Sequence, residues 1–600
     1  QAMSVVIISS IAAGIGLYKV QGFNGIILGT VAALFSWYFW AYITYIIGTK
    51  LLPEENTDIQ LTVEQEAALT EIVKALEGQS SPCRTFLLHG VTGSGKTEVY
   101  IRALERCVDL GKQGIVLVPE ISLTTQTLHR LYSRFSGKVA VVHSGLSARA
   151  QFDQWWRIRN GEYDVVVGAR SAIFAPLPDL GLIVIDEEHE WTYKQEETPR
   201  YRTREVAFYL AELSRAVTVM GSATPDVESY YWAKAGRYRL LELPQRVPVS
   251  NGPNSLRQSL PIIEVCNMRS ELIAGNRSIF SRALSLALEE CVANNHQAIL
   301  YINRRGSATV VQCRDCAFVA RCARCSVTLT YHAAVSRLLC HLCNRRSAVP
   351  SKCPICNSLN IRYLGLGTQR IVEELGRLLP FTPVIRWDLD SSRRKGDQQQ
   401  MLERMTRGEA QILVGTQMIA KGLHIPNVTL VGIMLADLAL HLPDFRAAER
   451  SFQLLCQVAG RSGRSSIPGR AVIQTYDPDN YAVKAAASQD YTSLYETEIE
   501  YRRQLGNPPF NQIVRMVYVN PSLEVCRRGV YSMAKTLRTK IVAEGRTDVN
   551  VIGPAPAYRQ RVRGNYRWHI ILQGLGLHAI LQDMPIADGW VVDVDPVTVM

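Results

Sequence analysis

Eight of the chain's fourteen cysteines fall in four CxxC pairs: Cys313 and Cys316, Cys322 and Cys325, Cys340 and Cys343, Cys353 and Cys356. Each pair can hold one edge of a tetrahedral zinc site, so eight thiolates suffice for two closed four-cysteine sites. The spacing alone leaves open which pairs combine. A site closed by four thiolates keeps no position for water, so zinc here is expected to be structural. Clustered pairs in a chain of 600 residues point to metal in a reducing compartment and exclude a secreted disulfide framework.

A second set of residues is suited to a nucleotide. "FLLHGVTGSGKTEVY" runs from an apolar stretch through Gly90, Gly93 and Gly95 to Lys96 and Thr97, then into a helical pattern. That is a phosphate-binding loop in its required context, strand before and helix after. Glycines let backbone N–H groups close around phosphate oxygens. Lys96 is expected to reach the β- and γ-phosphates of ATP, and the Thr97 hydroxyl to coordinate Mg2+. At 182–189 four apolar residues run into Asp186, Glu187, Glu188 and His189. Consecutive carboxylates at the end of a buried strand are costly unless they meet a cation. Asp186 therefore suits a Mg2+ ligand, and Glu187 a base that orients the attacking water. Far downstream, "QVAGRSGR" places Arg461 and Arg464 on one face. Arginines supplied across a cleft stabilise charge developing on a transferred phosphoryl group.

These residues need a frame. From residue 61 onward, strand-like apolar runs alternate with amphipathic helical stretches, the pattern of a parallel α/β sheet. Residues 25–48 carry no charge and are long enough to span a bilayer. With the apolar run at 4–18 they are expected to form a hydrophobic, membrane-spanning helical hairpin over 1–52, followed by a polar linker at 53–60. The formal net charge is +12, with 47% apolar and 20% charged residues. Between Tyr301 and Arg370 stand eleven Lys or Arg and one acid, Asp315. With eight thiolates and two Zn2+ counted, that stretch keeps about +6. A basic balance points to a polyanionic partner, nucleic acid or an anionic membrane.

The motifs occur in an order that narrows the reading. "LTVEQ", "GVTGSGKTEVY", "LVPEISLTTQT", "DEEHEWTYKQEETPRY", "GSATPDVES", the four CxxC pairs, "GTQMIAKG", "PDFRAAER", "QVAGRSGR" and "YRWHIILQ" follow one another over residues 61–600. This stretch resembles the superfamily 2 helicases of the PriA family, the primosomal replication-restart helicases. The resemblance implies an α/β fold of two RecA-like lobes with a cysteine-rich zinc-binding insert in the second lobe and a small α+β C-terminal DNA-binding domain. The implied boundaries are 61–245 for lobe 1, 246–309 and 361–480 for lobe 2, 310–360 for the insert and 481–600 for the C-terminal domain. The implied cofactors are ATP, Mg2+ and two Zn2+. Gln65 would read adenine, and Gln457 would lie near the nucleotide. The zinc pairing implied is nested: Cys313 and Cys316 with Cys353 and Cys356, Cys322 and Cys325 with Cys340 and Cys343. The loop "WTYKQEETPRY" would link DNA contact to ATP hydrolysis, with Trp191, Tyr193 and Tyr201 stacking on bases. Tyr566 and Trp568, among the arginines of 561–573, would lie on a DNA-contacting surface.

The implied activity is that of an ATP-dependent 3′→5′ DNA helicase that remodels stalled forks and promotes replication restart. It would act as a monomer on forked and single-stranded DNA, in the cytoplasm at the nucleoid. Single-stranded DNA-binding protein and primosome loaders would be its partners. The family begins with a 3′-end-binding domain and a winged helix, and neither fits before "LTVEQ". A joined or truncated reading frame opening on Gln1 is therefore expected, with poor fork selectivity. The competing expectations are a DNA-dependent ATPase platform that does not unwind, and a helicase tethered to a membrane through residues 1–52.

Overall fold

A computed structural model describes residues 60–600 apart from 80–82, 120–124, 136, 144, 248–260, 304–308, 326, 333–335, 365–366, 389–396, 417–418, 420–424, 426, 463–468 and 583. The expected hairpin at 1–52 and nearly all of the linker lie outside the described residues, as do Arg464 and most of "GTQMIAKG". Among the described residues, no helix is long and apolar enough to cross a membrane.

The described strands form four sheets. The first holds β1 (Thr85–Gly90), β2 (Gln113–Leu117), β3 (Val139–Val142), β4 (Val165–Gly168), β5 (Leu180–Asp186), β6 (Val217–Ser222) and β7 (Arg239–Leu243). Their order is β3-β4-β2-β5-β6-β1-β7, and every pairing is parallel. Strand β5, "LGLIVID", is buried along its length up to Asp186. Such an unbroken apolar run is what a parallel strand covered on both faces requires. The second sheet holds β8 (Ile262–Asn267), β9 (Gln297–Tyr301) and four later strands, also all parallel. These are the two RecA-like lobes.

Between β9 and the rest of its sheet stands the insert. Its short strands begin with β10 (Thr309–Cys313) and end with β14 (Ile361–Leu364). These two pair antiparallel, with Val310 opposite Leu364 and Cys313 opposite Ile361. The C-terminal domain is a four-stranded antiparallel sheet in which β19 (Gln512–Asn520) pairs β21 (Asn565–Gly574) and β22 (Trp590–Val594). Helix Leu523–Ala543 packs Val530, Ala534 and Leu537 against that sheet. The helices Tyr481–Ser488 and Tyr491–Gln504, which precede it, instead bury Ala482, Val483 and Leu494 in the core shared with the two lobes.

One glycine in the first sheet has no room for a side chain. Gly221 lies opposite Asp186 in the β5–β6 ladder, and a Cβ there would overlap the Tyr100 hydroxyl. Tyr100 is itself buried, so it has nowhere to retreat. Gly221→Ala is expected to cost on the order of 1–3 kcal/mol, seen as a lowered urea midpoint with an unchanged slope. Adding Tyr100→Phe should recover only part of the loss, because the ring carbon that bears the hydroxyl also lies 2.6 Å from the new Cβ.

Candidate functional site

The phosphate-binding loop is built by glycine conformation. Gly93 and Gly95 have φ of 83° and 78°, a region that L side chains rarely enter. Gly95 is the N-cap of helix α1 (Lys96–Asp109) and has no side chain to cap it. The first N–H groups of α1 are therefore available to an anion, where the helix dipole also favours negative charge. Lys96 is buried, and its Nζ donates to the Gly90 carbonyl at 2.7 Å.

Gln65 ties the preceding helix to this loop. Its Oε1 accepts from the Thr62 N–H at 2.9 Å, and its Nε2 donates to the Ser94 carbonyl at 2.8 Å. Among the described residues, each end of the amide keeps one further hydrogen-bonding position, which is what bidentate contact with an adenine edge needs. A residue outside the recognised motifs also touches the loop. Arg246 lies 3.7 Å from where a Cβ on Gly93 would stand, and the Val247 N–H donates to the Gly93 carbonyl at 3.0 Å.

Asp186 ends β5 beside this loop. Burial, and then the charge of Glu187, push its carboxyl up to about 6, with Lys96 opposing them. A carboxylate held against neighbouring negative charge is relieved by a cation, the chemistry expected of a Mg2+ ligand. Glu187 adopts φ 47°, strained for a residue with a Cβ. Its carboxylate lies 3.6 Å from His189 Nδ1, and that nitrogen lies 2.7 Å from Ser222 Oγ. The "DEEH" and "GSAT" segments are thus joined by this side-chain contact and by the Glu188 N–H, which donates to the Gly221 carbonyl at 3.0 Å.

Lobe 2 meets this site through helix α2 (Ala447–Ala459). Gln457 is on its last turn, and Gly460 and Arg461 follow. A Cβ on Gly460 would come within 3.9 Å of the Thr92 hydroxyl in the phosphate loop. The structure therefore brings the "QVAGR" end of lobe 2 to the nucleotide loop of lobe 1. At the other end of α2, Glu449 accepts the Val227 N–H at 2.7 Å and also binds Arg502 at 2.7 Å. Arg446 pairs with Glu228, and Arg202 and Arg204 reach Glu228 at 3.1 and 3.4 Å. Glu188, the third residue of "DEEH", accepts from the Asp226 N–H at 2.7 Å and from Ser229 Oγ at 2.9 Å. Short polar links thus run from the nucleotide strand into lobe 2.

The eight paired cysteines form two groups of four: Cys313, Cys316, Cys353 and Cys356, and Cys322, Cys325, Cys340 and Cys343. This is the nested arrangement. The cross-pair distances Cys313–Cys356, Cys316–Cys353 and Cys322–Cys343 are 3.6, 3.4 and 3.6 Å. Zn–S bonds of ~2.3 Å in a tetrahedron put sulfurs ~3.8 Å apart, so both groups fit Zn2+.

The residue that follows Cys340 belongs to no motif legible in the sequence. His341 is buried, its Nδ1 lies 3.0 Å from the Pro556 carbonyl, and its own carbonyl is 2.6 Å from His569 Nε2. The neighbouring Leu342 packs with Ile513 and Ile571. The second cysteine group is thereby docked on the C-terminal domain.

Two aromatic expectations need correction. Tyr193 is not a free stacking face: it is buried, and its hydroxyl donates to the Asp186 carbonyl at 2.7 Å. Trp568 is a core residue of the C-terminal sheet, 4% exposed under helix Leu523–Ala543. Aromatic side chains serve cores and binding faces alike, so residue type did not separate the two cases. Trp191 is 41% exposed, and Tyr201 meets the exposed Phe174 edge-on at 5.1 Å. Phe174 was not singled out from the sequence, although "SAIFAP" puts an aromatic residue just before a proline turn.

Comparison with known proteins gives four family matches. They are DEAD/DEAH box helicase over residues 62–231, helicase conserved C-terminal domain over 385–466, PriA DNA helicase Cys-rich region over 322–347 and primosomal protein N C-terminal domain over 503–597. The replication restart protein PriA of Bacillus subtilis (strain 168) is 46% identical over 520 residues, 87% of this chain and 63% of that protein. The protein of the same name from Treponema pallidum (strain Nichols) is 41% identical over 522 residues, 87% of this chain and 76% of that one. A solved structure of RecG bound to a three-way DNA junction aligns at TM-score 0.42 and 17% identity, over 76% of this chain and 48% of that chain. The chain thus spans less than two thirds of the Bacillus relative.

Proposed function

The chain belongs to the PriA family of replication restart proteins, and from that premise we propose that it is an ATP-dependent 3′→5′ DNA helicase that remodels stalled forks and promotes replication restart. The observation that supports this reading is the approach of Gly460, the residue before Arg461, to Thr92 in the phosphate loop of lobe 1. In this reading Gly90, Gly93, Gly95 and Lys96 cradle the phosphates, and Gln65 and Gln457 contact the nucleotide. Glu187 orients the attacking water. Arg461 and Arg464 are assigned the role of stabilising charge on the transferred phosphoryl group. Mg2+ held by Thr97 and Asp186 neutralises phosphate charge when bound. Trp191, Tyr201 and Phe174 offer stacking faces to single-stranded DNA, and the zinc insert supports the fork.

The four sheets support a division into lobe 1, lobe 2 with its insert, and a C-terminal DNA-binding domain. The protein works on forked and single-stranded DNA in the cytoplasm as a monomer, with single-stranded DNA-binding protein and primosome loaders as partners.

The test is ATP hydrolysis by the 600-residue chain with and without forked DNA, followed by strand separation. Lys96→Ala is expected to lower the DNA-stimulated rate at least ~100-fold, the scale on which charge-stabilising groups act. Hydrolysis indifferent to Lys96 or to DNA would overturn the reading.

A further inference from the structure

The last residues of the chain lie between the two lobes. They leave β22 and touch three parts of the molecule in succession. Lys194 of the "WTYKQ" loop in lobe 1 is 5% exposed. Its Nζ donates to the Val594 carbonyl at 2.7 Å and lies 2.9 Å from Asp593 Oδ1. Two residues on, the Pro596 carbonyl accepts from Arg446 Nη1 of lobe 2 at 3.0 Å. Arg450 of lobe 2 holds the Val597 carbonyl, and the Val599 N–H donates to Asp444 Oδ2 at 3.3 Å. Val599 is buried beside Ile513 and Ile571 of the C-terminal sheet.

The loop that carries Lys194 is tied inward as firmly as it is tied outward. Tyr193, its neighbour, hydrogen-bonds the Asp186 carbonyl, and Thr203 Oγ1 donates to the Tyr193 carbonyl, both at 2.7 Å. Arg170 Nη1 donates to the carbonyls of Thr192 and Lys194 at 3.1 and 3.2 Å. The path from Asp186 to the C-terminal sheet is therefore two adjacent residues and two hydrogen bonds long.

We propose that Lys194 is a positioning residue through which the C-terminal domain sets the geometry of Asp186, so that DNA engaged by that domain is felt at the nucleotide site. This rests on the ATPase reading above. The physical reason is the burial of the ammonium group. An ammonium so enclosed is tolerated only while both oxygen partners stay docked. Displacing the C-terminal strand forces the loop to move with it, and the loop moves the end of β5.

The experiment uses the full chain carrying Asp593→Asn, Lys194→Met, both together, or Lys194→Arg. ATP hydrolysis is measured with and without single-stranded and forked DNA, and thermal midpoint and zinc content are checked in each variant. Asp593→Asn is expected to keep the DNA-independent rate within about twofold and to lose about tenfold in stimulation by DNA, a typical coupling between sites. Lys194→Met should lose the same stimulation, the double variant no more than either single one, and Lys194→Arg should retain most of it. Unchanged stimulation in Asp593→Asn overturns the proposal, as does an equal fall in both rates. If the unsubstituted chain shows no Lys96-dependent hydrolysis, the ATPase reading is what fails. Hydrogen exchange at 191–204 then decides the link on its own: faster exchange in Asp593→Asn supports it, and unchanged exchange overturns it.

Discussion

Cys340→Ser is expected to release one of the two zinc ions and to undock the insert from the C-terminal domain. A structural zinc site contributes on the order of 10–16 kcal/mol of folding free energy in small domains. The insert has little else to replace it. Its apolar core is small, with Val311, Ala320, Leu329 and Leu338 among the few buried side chains, and β11 (Thr330–His332) and β12 (Arg337–Leu339) are three residues each. Losing the site also releases His341 and Leu342, whose contacts reach Pro556, His569 and Ile571. Metal analysis should fall from two zinc ions per chain to one, and protease cleavage should rise at 320–350. Lobe 1 should keep its nucleotide-binding loop, because no zinc ligand lies in it. Retention of two zinc ions, or unchanged protection of 320–350, would contradict the assignment of this group as a site.

Arg502→Met is expected to be the most damaging substitution at the junction between the lobes. Arg502 lies on helix Tyr491–Gln504 and is 1% exposed. It binds Glu449 at 2.7 Å and Glu498 at 2.9 Å, and both carboxylates are buried. Removing one partner from a buried ionic cluster costs about 3–5 kcal/mol, mostly from the charges left behind. The thermal midpoint should fall accordingly. Replacing Glu449 and Glu498 by glutamine in the same chain should recover much of the loss, since no uncompensated charge then remains buried. The junction also has an acid limit. Burial alone would raise the Glu228 carboxyl, but Arg446, Arg202 and Arg204 hold it well below the usual carboxylate range. Its stabilising share is therefore complete above about pH 4.5 and lost as the pH falls through its lower folded value.

The local chemistry of the site was legible because phosphate and zinc recognition depend on near neighbours. Gly93, Gly95 and Lys96 form a loop whose backbone geometry their own residue types dictate, and each CxxC pair closes its own turn. The α/β frame was legible for the same reason, from runs such as "LGLIVID". What stayed hidden involves partners far apart in the chain. Lys194 and Asp593, or Glu449 and Val227, share no spacing rule, and nothing about either residue alone points to the other. His341 reads as one more polar residue in a basic stretch until the Pro556 carbonyl stands beside it. The aromatic residues misled where one type serves two purposes: Tyr193 and Trp568 are buried, while Phe174, which drew no attention, is exposed.

The insert leaves lobe 2 and returns to it along the paired strands β10 and β14. Adjacent strands lie ~4.8 Å apart, so the exit and re-entry points are neighbours. To the parent sheet, the whole cysteine module is topologically no larger than the hairpin turn that could take its place. It can grow, shrink or be exchanged without altering the register of any lobe strand. What its removal would break is one pair of antiparallel strands and its contacts with the C-terminal domain, and no strand of either lobe.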